Sequence, residues 1–188
     1  MNICSTLIAG LFVCEPERIE DSRGSFFRAF CASEFERIGL KKPIAQVNQS
    51  LTKTVGSIRG LHFQYPPFAE TKIVRCLSGC VYDVVVDLRS GSDTFLHWHG
   101  EYLSGENNKM MVIPEGFAHG FQVIEGNSSL LYLHTEPYSP DYESGVLFSD
   151  ELIGIHWPIA ITEVSEKDRN HKKLDSSFHG IELMSKIL

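Results

Sequence analysis

The stretch CVYDVVVDLR, residues 80–89, is the strongest strand signal in the chain. β-Branched and aromatic residues dominate it, and turn chemistry bounds it on both sides, Ser78-Gly79 before it and Ser90-Gly91-Ser92-Asp93 after it. Working outward, short runs rich in Val, Ile, Phe and Tyr repeat from Gln46 to Tyr138. Turns at Tyr65-Pro66-Pro67, Pro114-Glu115-Gly116 and Glu125-Gly126-Asn127 separate them. Short strands at this spacing predict an all-β sandwich or barrel.

Around this centre, residues 1–32 read as an arm and two strands joined at EDSRGS. Ser33, with Glu36 three residues on and Gly39 as a stop, predicts one or two turns of helix. After Tyr138, SPDYESG reads as a loop and IGIHWP as a short extended piece. Residues 162–188 are polar and partly helical in expectation. With 188 residues and no repeat or low-complexity linker, one domain over 1–188 is expected.

The net charge of −7 argues against nucleic acid or an anionic membrane as the main partner. No apolar run approaches the roughly 20 residues needed to span a bilayer. The opening MNICSTLIAGLFVCEPE lacks a basic region before its apolar run and is not read as a signal peptide. Five cysteines without a CxxC pair suit reduced thiols in a cytoplasmic protein. Cys76 and Cys80 flank a turn and could also face each other across a hairpin.

The groups able to hold an anion and move a proton concentrate in QVNQSLTKTVGSIRGLHFQYPPFAETK, residues 46–72. Gln46, Asn48 and Ser50 alternate and should share one strand face, although a solvent-facing strand would read the same. Arg59-Gly60-Leu61-His62 sets a guanidinium suited to phosphate beside an imidazole suited to proton transfer, with a glycine that lets a ligand approach the backbone. His119 sits between turn and strand in PEGFAHGF. Tyr132 lies in an apolar strand, where a buried phenol needs a partner. His97-Trp98-His99 would place two histidines on one strand face as a possible metal pair, but Glu101 is the one acidic residue that follows at a short interval. No dinucleotide, Walker-type or serine-hydrolase motif is present.

The ordered series Asp21-x-Arg23-Gly24, Gln46-x-Asn48-x-Ser50, Arg59-Gly60-Leu61-His62, Lys72, DVVVDLR at 83–89, PEGFAHGF at 114–121, Tyr132 and Ser165-x-Lys167-Asp168 resembles the dTDP-4-dehydrorhamnose 3,5-epimerase family. The match is collinear from about residue 19 to 170. The resemblance implies a cupin-like jelly roll with short flanking helices and a homodimer sharing its N-terminal strands. It also implies cofactor-independent, metal-free epimerisation of a nucleotide-linked 4-keto-6-deoxy sugar. In that scheme His62 is the base, Asp168 orients it, Tyr132 returns a proton from the opposite face and Lys72 stabilises the enolate. Arg59 and the partner-derived Arg23 hold the diphosphate. Gln46, Asn48 and His119 line the site, Phe26 and Tyr138 contact the nucleoside, and Glu143 and Lys167 also bind substrate.

The chain departs from the family pattern at Arg28, where a glutamate is usual and is thought to help hold the base. A guanidinium only donates, which suits cytosine or guanine acceptors, so a CDP-linked 4-keto sugar stays open as the substrate. Leu133 and Pro137 also depart from the pattern. Two rival classes remain at this stage, a non-catalytic sugar-nucleotide-binding cupin and a metal-dependent cupin enzyme.

Overall fold

A computed structural model describes residues 1–183. Thirteen strands and two short helices follow in chain order: β1 (Asn2–Ser5), β2 (Phe12–Glu15), β3 (Ile19–Asp21), β4 (Gly24–Phe26), α1 (Ala32–Glu36), β5 (Gln46–Thr52), β6 (Ile58–Gln64) and β7 (Lys72–Ser78). Then come β8 (Cys80–Asp87), β9 (Trp98–Ser104), β10 (Met110–Ile113), β11 (Phe117–Val123), β12 (Ser128–His134), β13 (Glu143–Gly145) and α2 (Glu166–Arg169).

The strands form a six-stranded sheet ordered β1-β2-β10-β7-β12-β5 and a five-stranded sheet ordered β13-β6-β11-β8-β9, with β3-β4 as a separate hairpin. Every strand pair is antiparallel. Two such sheets packed face to face make a jelly-roll sandwich of the cupin type.

Strand β8 shows why its sequence is so apolar. Val81 and Val85 enter the core between the sheets with Val13, Val74, Met111, Phe121 and Leu130. Val84, Val86 and Leu88 point the other way, under a cover of Ile153, Trp157, Phe178 and Ile181 from the C-terminal segment. A strand buried on both faces has no solvent-facing side, so apolar residues occupy both of its faces and Asp83 and Asp87 are themselves buried. A third cluster forms where α1 packs Phe35 against Cys14, Ile73 and Met110.

Several sequence expectations are corrected. Residues 1–32 hold four strands, because β1 and β2 extend the six-stranded sheet beside β10. Helix α1 starts after Cys31, not Ser33, and Cys31 caps it without a side-chain hydrogen bond; Gly39 follows at φ 97°. The SPDYESG loop contains β13, which pairs along β6, and IGIHWP forms no strand. Ser78-Gly79 is not a hairpin between paired strands. Gly79, at φ 73°, carries the chain from β7 in one sheet to β8 in the other. Cys76 and Cys80 are free thiols, like the other three cysteines. The tail expected to be partly helical contains α2, and residues 184–188 lie outside the described residues. No described helix is long and apolar enough to cross a membrane.

Candidate active site

The two sheets open at one end into a cavity of about 310 Å³. Strands β5, β7 and β12 supply one wall, with Gln46, Asn48, Ser50, Lys72, Tyr132 and His134. Strands β6 and β11 supply the other, with Arg59, His62, Gln64 and His119. The alternation read in Gln46, Asn48 and Ser50 therefore serves this interior, because antiparallel register sets them beside Tyr132 and His134.

On β6, His62 Nε2 lies 2.6 Å from Asp168 Oδ1, and the other carboxylate oxygen accepts the Gly60 N–H at 3.1 Å. Asp168 is delivered by α2, whose N-cap Ser165 accepts the Asp168 N–H through its hydroxyl. Burial works against ionising Asp168, but the bonds from His62, Gly60 and Ser165 outweigh it and hold its carboxyl down at about 2. The carboxylate thus stays charged and fixes Nε2 as the donor, leaving Nδ1 to accept a proton. His62 keeps 31% of its side chain exposed, so substrate and solvent reach it.

Gly60 serves a different purpose from the one expected. At φ 103°, a Cβ there would stand 2.6 Å from the His119 carbonyl oxygen, so glycine permits the close approach of β6 and β11 and not the approach of a ligand.

On the opposite sheet from His62, Tyr132 lines the same cavity and shares a 2.9 Å hydrogen bond with Ser50 Oγ. Burial pushes its phenol up to about 12, with Ser50 acting in the opposite direction, so the hydroxyl holds its proton at neutral pH. His119 Nε2 lies 2.8 Å from Asp83 Oδ1, both groups buried.

Sequence reasoning missed the carboxylate that organises the third corner. Glu70 reaches Lys72 Nζ at 3.1 Å and His134 Nδ1 at 2.7 Å. Burial opposes its charge, yet the His134 bond and Lys72 hold its carboxyl below the usual range. At the rim, Glu143 accepts from the Tyr138 hydroxyl at 2.8 Å and from Lys167, and Gln46 Oε1 accepts the Tyr138 N–H at 3.0 Å. Arg59 stands exposed at the mouth, 3.4 Å from Thr52 Oγ1.

Three predicted residues lie away from this cavity within the chain. Arg23, 88% exposed, pairs with Asp21 on the β3-β4 hairpin, and Phe26 is exposed on the same hairpin. Arg28 pairs with Glu34 of α1. Leu133 points out of the cavity into the cluster around Phe35. His97 and His99 do not share a strand, since β9 begins at Trp98. The three-residue cluster of possible metal ligands among the described residues is instead His62, Asp168 and His171.

A family model described as dTDP-4-dehydrorhamnose 3,5-epimerase matches residues 5–176. The chain belongs to this family. It is 42% identical over 174 residues to the dTDP-4-dehydrorhamnose 3,5-epimerase of Shigella flexneri, covering 92% of this chain and 96% of that one. The crystal structure of the Bacillus anthracis family member with TDP and pyrophosphate bound is 38% identical, with a TM-score of 0.88 over 92% of this chain and 99% of that one. A Legionella pneumophila member in complex with dTDP-4-keto-L-rhamnose is 36% identical, with a TM-score of 0.90 over 98% and 99%. The chain is accordingly an isomerase of the sugar-nucleotide epimerase class. Neither a CDP-linked substrate nor a non-catalytic cupin finds support among these relatives.

Proposed function

We propose that this chain inverts C3 and C5 of dTDP-4-keto-6-deoxyglucose by proton abstraction and return, without a metal or organic cofactor. The observation that carries this reading is the placement of His62 and Tyr132 on opposite sheets of one cavity that Lys72 also lines. A C4 ketone acidifies the hydrogens on C3 and C5. Inversion then needs a base on one face, an acid on the other and a cation near the enolate oxygen.

His62 Nδ1 takes the carbon-bound proton, and Asp168 stabilises the resulting imidazolium. The electron pair moves onto O4, near Lys72. Tyr132, still protonated at neutral pH, gives its proton to the carbon from the other side. Exchange of His62 and Tyr132 with solvent resets both groups.

Arg59 at the mouth is suited to the diphosphate by its fork of donors. Gln46, Asn48 and His119 contact the sugar end, and Tyr138, Glu143 and Lys167 border the nucleoside end. The β3-β4 hairpin, exposed at Ile19, Arg23 and Phe26, supports a homodimer in which each hairpin, with Arg23 and Phe26, completes the partner's site. The whole chain then works as one unit in the cytoplasm, the C-terminal segment delivering Asp168.

Incubation in D2O with a panel of dTDP-, CDP- and GDP-linked 4-keto sugars tests the reading. Deuterium should enter C3 and C5 of the dTDP sugar. Absence of exchange with the dTDP donor would overturn it.

A further inference from the structure

Beside the base stands an imidazole that the reaction does not use. His171 lies three residues beyond Asp168, and its ring meets that of His62 edge to face with centroids 5.6 Å apart. His171 Nε2 is buried without a hydrogen-bond partner, 3.7 Å from Asp168 Oδ1. Strand β13 makes room for the ring: a Cβ at Gly145 would stand 2.3 Å from that nitrogen.

One donor atom each from His62, Asp168 and His171 lies within 4.8 Å of the other two. A tetrahedral Zn2+ with ligands at about 2.0–2.1 Å sets them roughly 3.3 Å apart. The present 2.6 Å and 3.7 Å separations from Asp168 Oδ1 lie on either side of that value. Two imidazoles and a carboxylate are a donor set that Zn2+ and its neighbours accept. The Gly60 N–H on Asp168 Oδ2 would steady the carboxylate from behind. His62 and Asp168 also border a second cavity, which they share with Arg59, Ser165 and Lys167.

We propose that His62, Asp168 and His171 form a transition-metal site, and that Zn2+ bound there switches the enzyme off. The second half rests on His62 acting as the base. In the free enzyme the neutral His62 ring keeps its proton on Nε2 and donates that N–H in a hydrogen bond to the Asp168 carboxylate. When Zn2+ takes Nε2, that proton passes to Nδ1, and the ring can accept no other. The ion therefore stops proton abstraction while leaving the nucleotide's contacts in place.

The test uses metal-free full-length protein titrated with Zn2+ by calorimetry and with Co2+ by visible absorption, alongside deuterium exchange on dTDP-4-keto-6-deoxyglucose. Wild type should bind one ion per chain, show the bands of a tetrahedral Co2+ site, and lose exchange as Zn2+ fills the site, with recovery on chelation and unchanged dTDP affinity. His171→Ala and His171→Leu, the second filling the ring's volume without a donor, should retain exchange in metal-free buffer. Both should bind Zn2+ about a hundredfold more weakly, since loss even of a supporting contact to a ligand costs roughly 10–100-fold. Absence of a stoichiometric Co2+ spectrum in wild type, or equal Zn2+ inhibition of wild type and both variants, would overturn the site. If metal-free wild type fails to exchange, the assignment of the reaction falls, and the Co2+ spectrum still decides the site.

Discussion

Two histidine–carboxylate pairs stand side by side on β6 and β11, with His62 and His119 directly opposite in the strand register. They are built to different ends. Asp168 has both oxygens engaged, by His62 and by the Gly60 N–H, and its carboxyl is held down at about 2. Asp83 is fully buried, one of its oxygens has no partner, and burial pushes its carboxyl up despite His119 and Lys72. His62 keeps 31% of its side chain open, whereas His119 keeps 6%. A group that cycles protons needs both access and a counter-charge that stays charged. The first pair has both; the second is better suited to shaping the cavity wall.

The largest effect that can break this comparison is at Asp168. Asp168→Asn should lower exchange at saturating substrate by about 10²–10⁴, the scale of acid–base catalysis. Asp83→Asn should stay within about tenfold on that same scale. Acid stability should separate them too. A carboxyl held below its unfolded value of 3.8 stabilises the fold above that pH, and this stability is lost as pH falls towards 2. Asp83 has the opposite shift, so its contribution improves on acidification from neutral pH. Acid unfolding followed by circular dichroism should therefore lose part of its pH dependence below 3.8 in Asp168→Asn and keep it in Asp83→Asn.

A smaller effect is expected at the third corner. Glu70→Gln removes the carboxylate that holds Lys72 and His134, and should lower kcat about tenfold with little change in KM, the mark of an interaction that matters in the transition state. Steady-state kinetics would expose the alternative, a rise in KM alone. The smallest effect concerns Arg28. Because Arg28 is paired with Glu34, Arg28→Glu should change the affinities for dTDP and CDP by less than about threefold, as exposed ion pairs contribute little. A switch of nucleotide preference in a calorimetric titration would instead show that Arg28 reads the base.

Much of the architecture was legible because strand periodicity and turn residues are local signals. The run from 80 to 89 announced the central strand, and the 46–50 alternation announced one cavity wall. What stayed hidden is non-local. Ser78-Gly79 marks a turn, but nothing in two residues says that the chain changes sheets there. Strands of three or four residues such as β1 and β13 form because a neighbour offers an edge, as β6 does for β13. Among site residues, Asp83 and His134 carried a usable signal. An acid between Val81 and Val85 must have a buried role, and His134 shares a face with Tyr132 two residues before it. Glu70 sits outside any strand and gave no such cue. Gly60 was read with the right constraint and the wrong neighbour, since only the paired strand reveals what approaches it.

The central claim is that the exposed pair moves protons and the buried one does not. Deuterium incorporation at C3 and C5 by His62→Asn and His119→Asn, measured side by side at saturating dTDP-4-keto-6-deoxyglucose, tests it most directly. Exchange should vanish in His62→Asn and persist in His119→Asn. Persistent exchange in His62→Asn, with loss confined to His119→Asn, would contradict it.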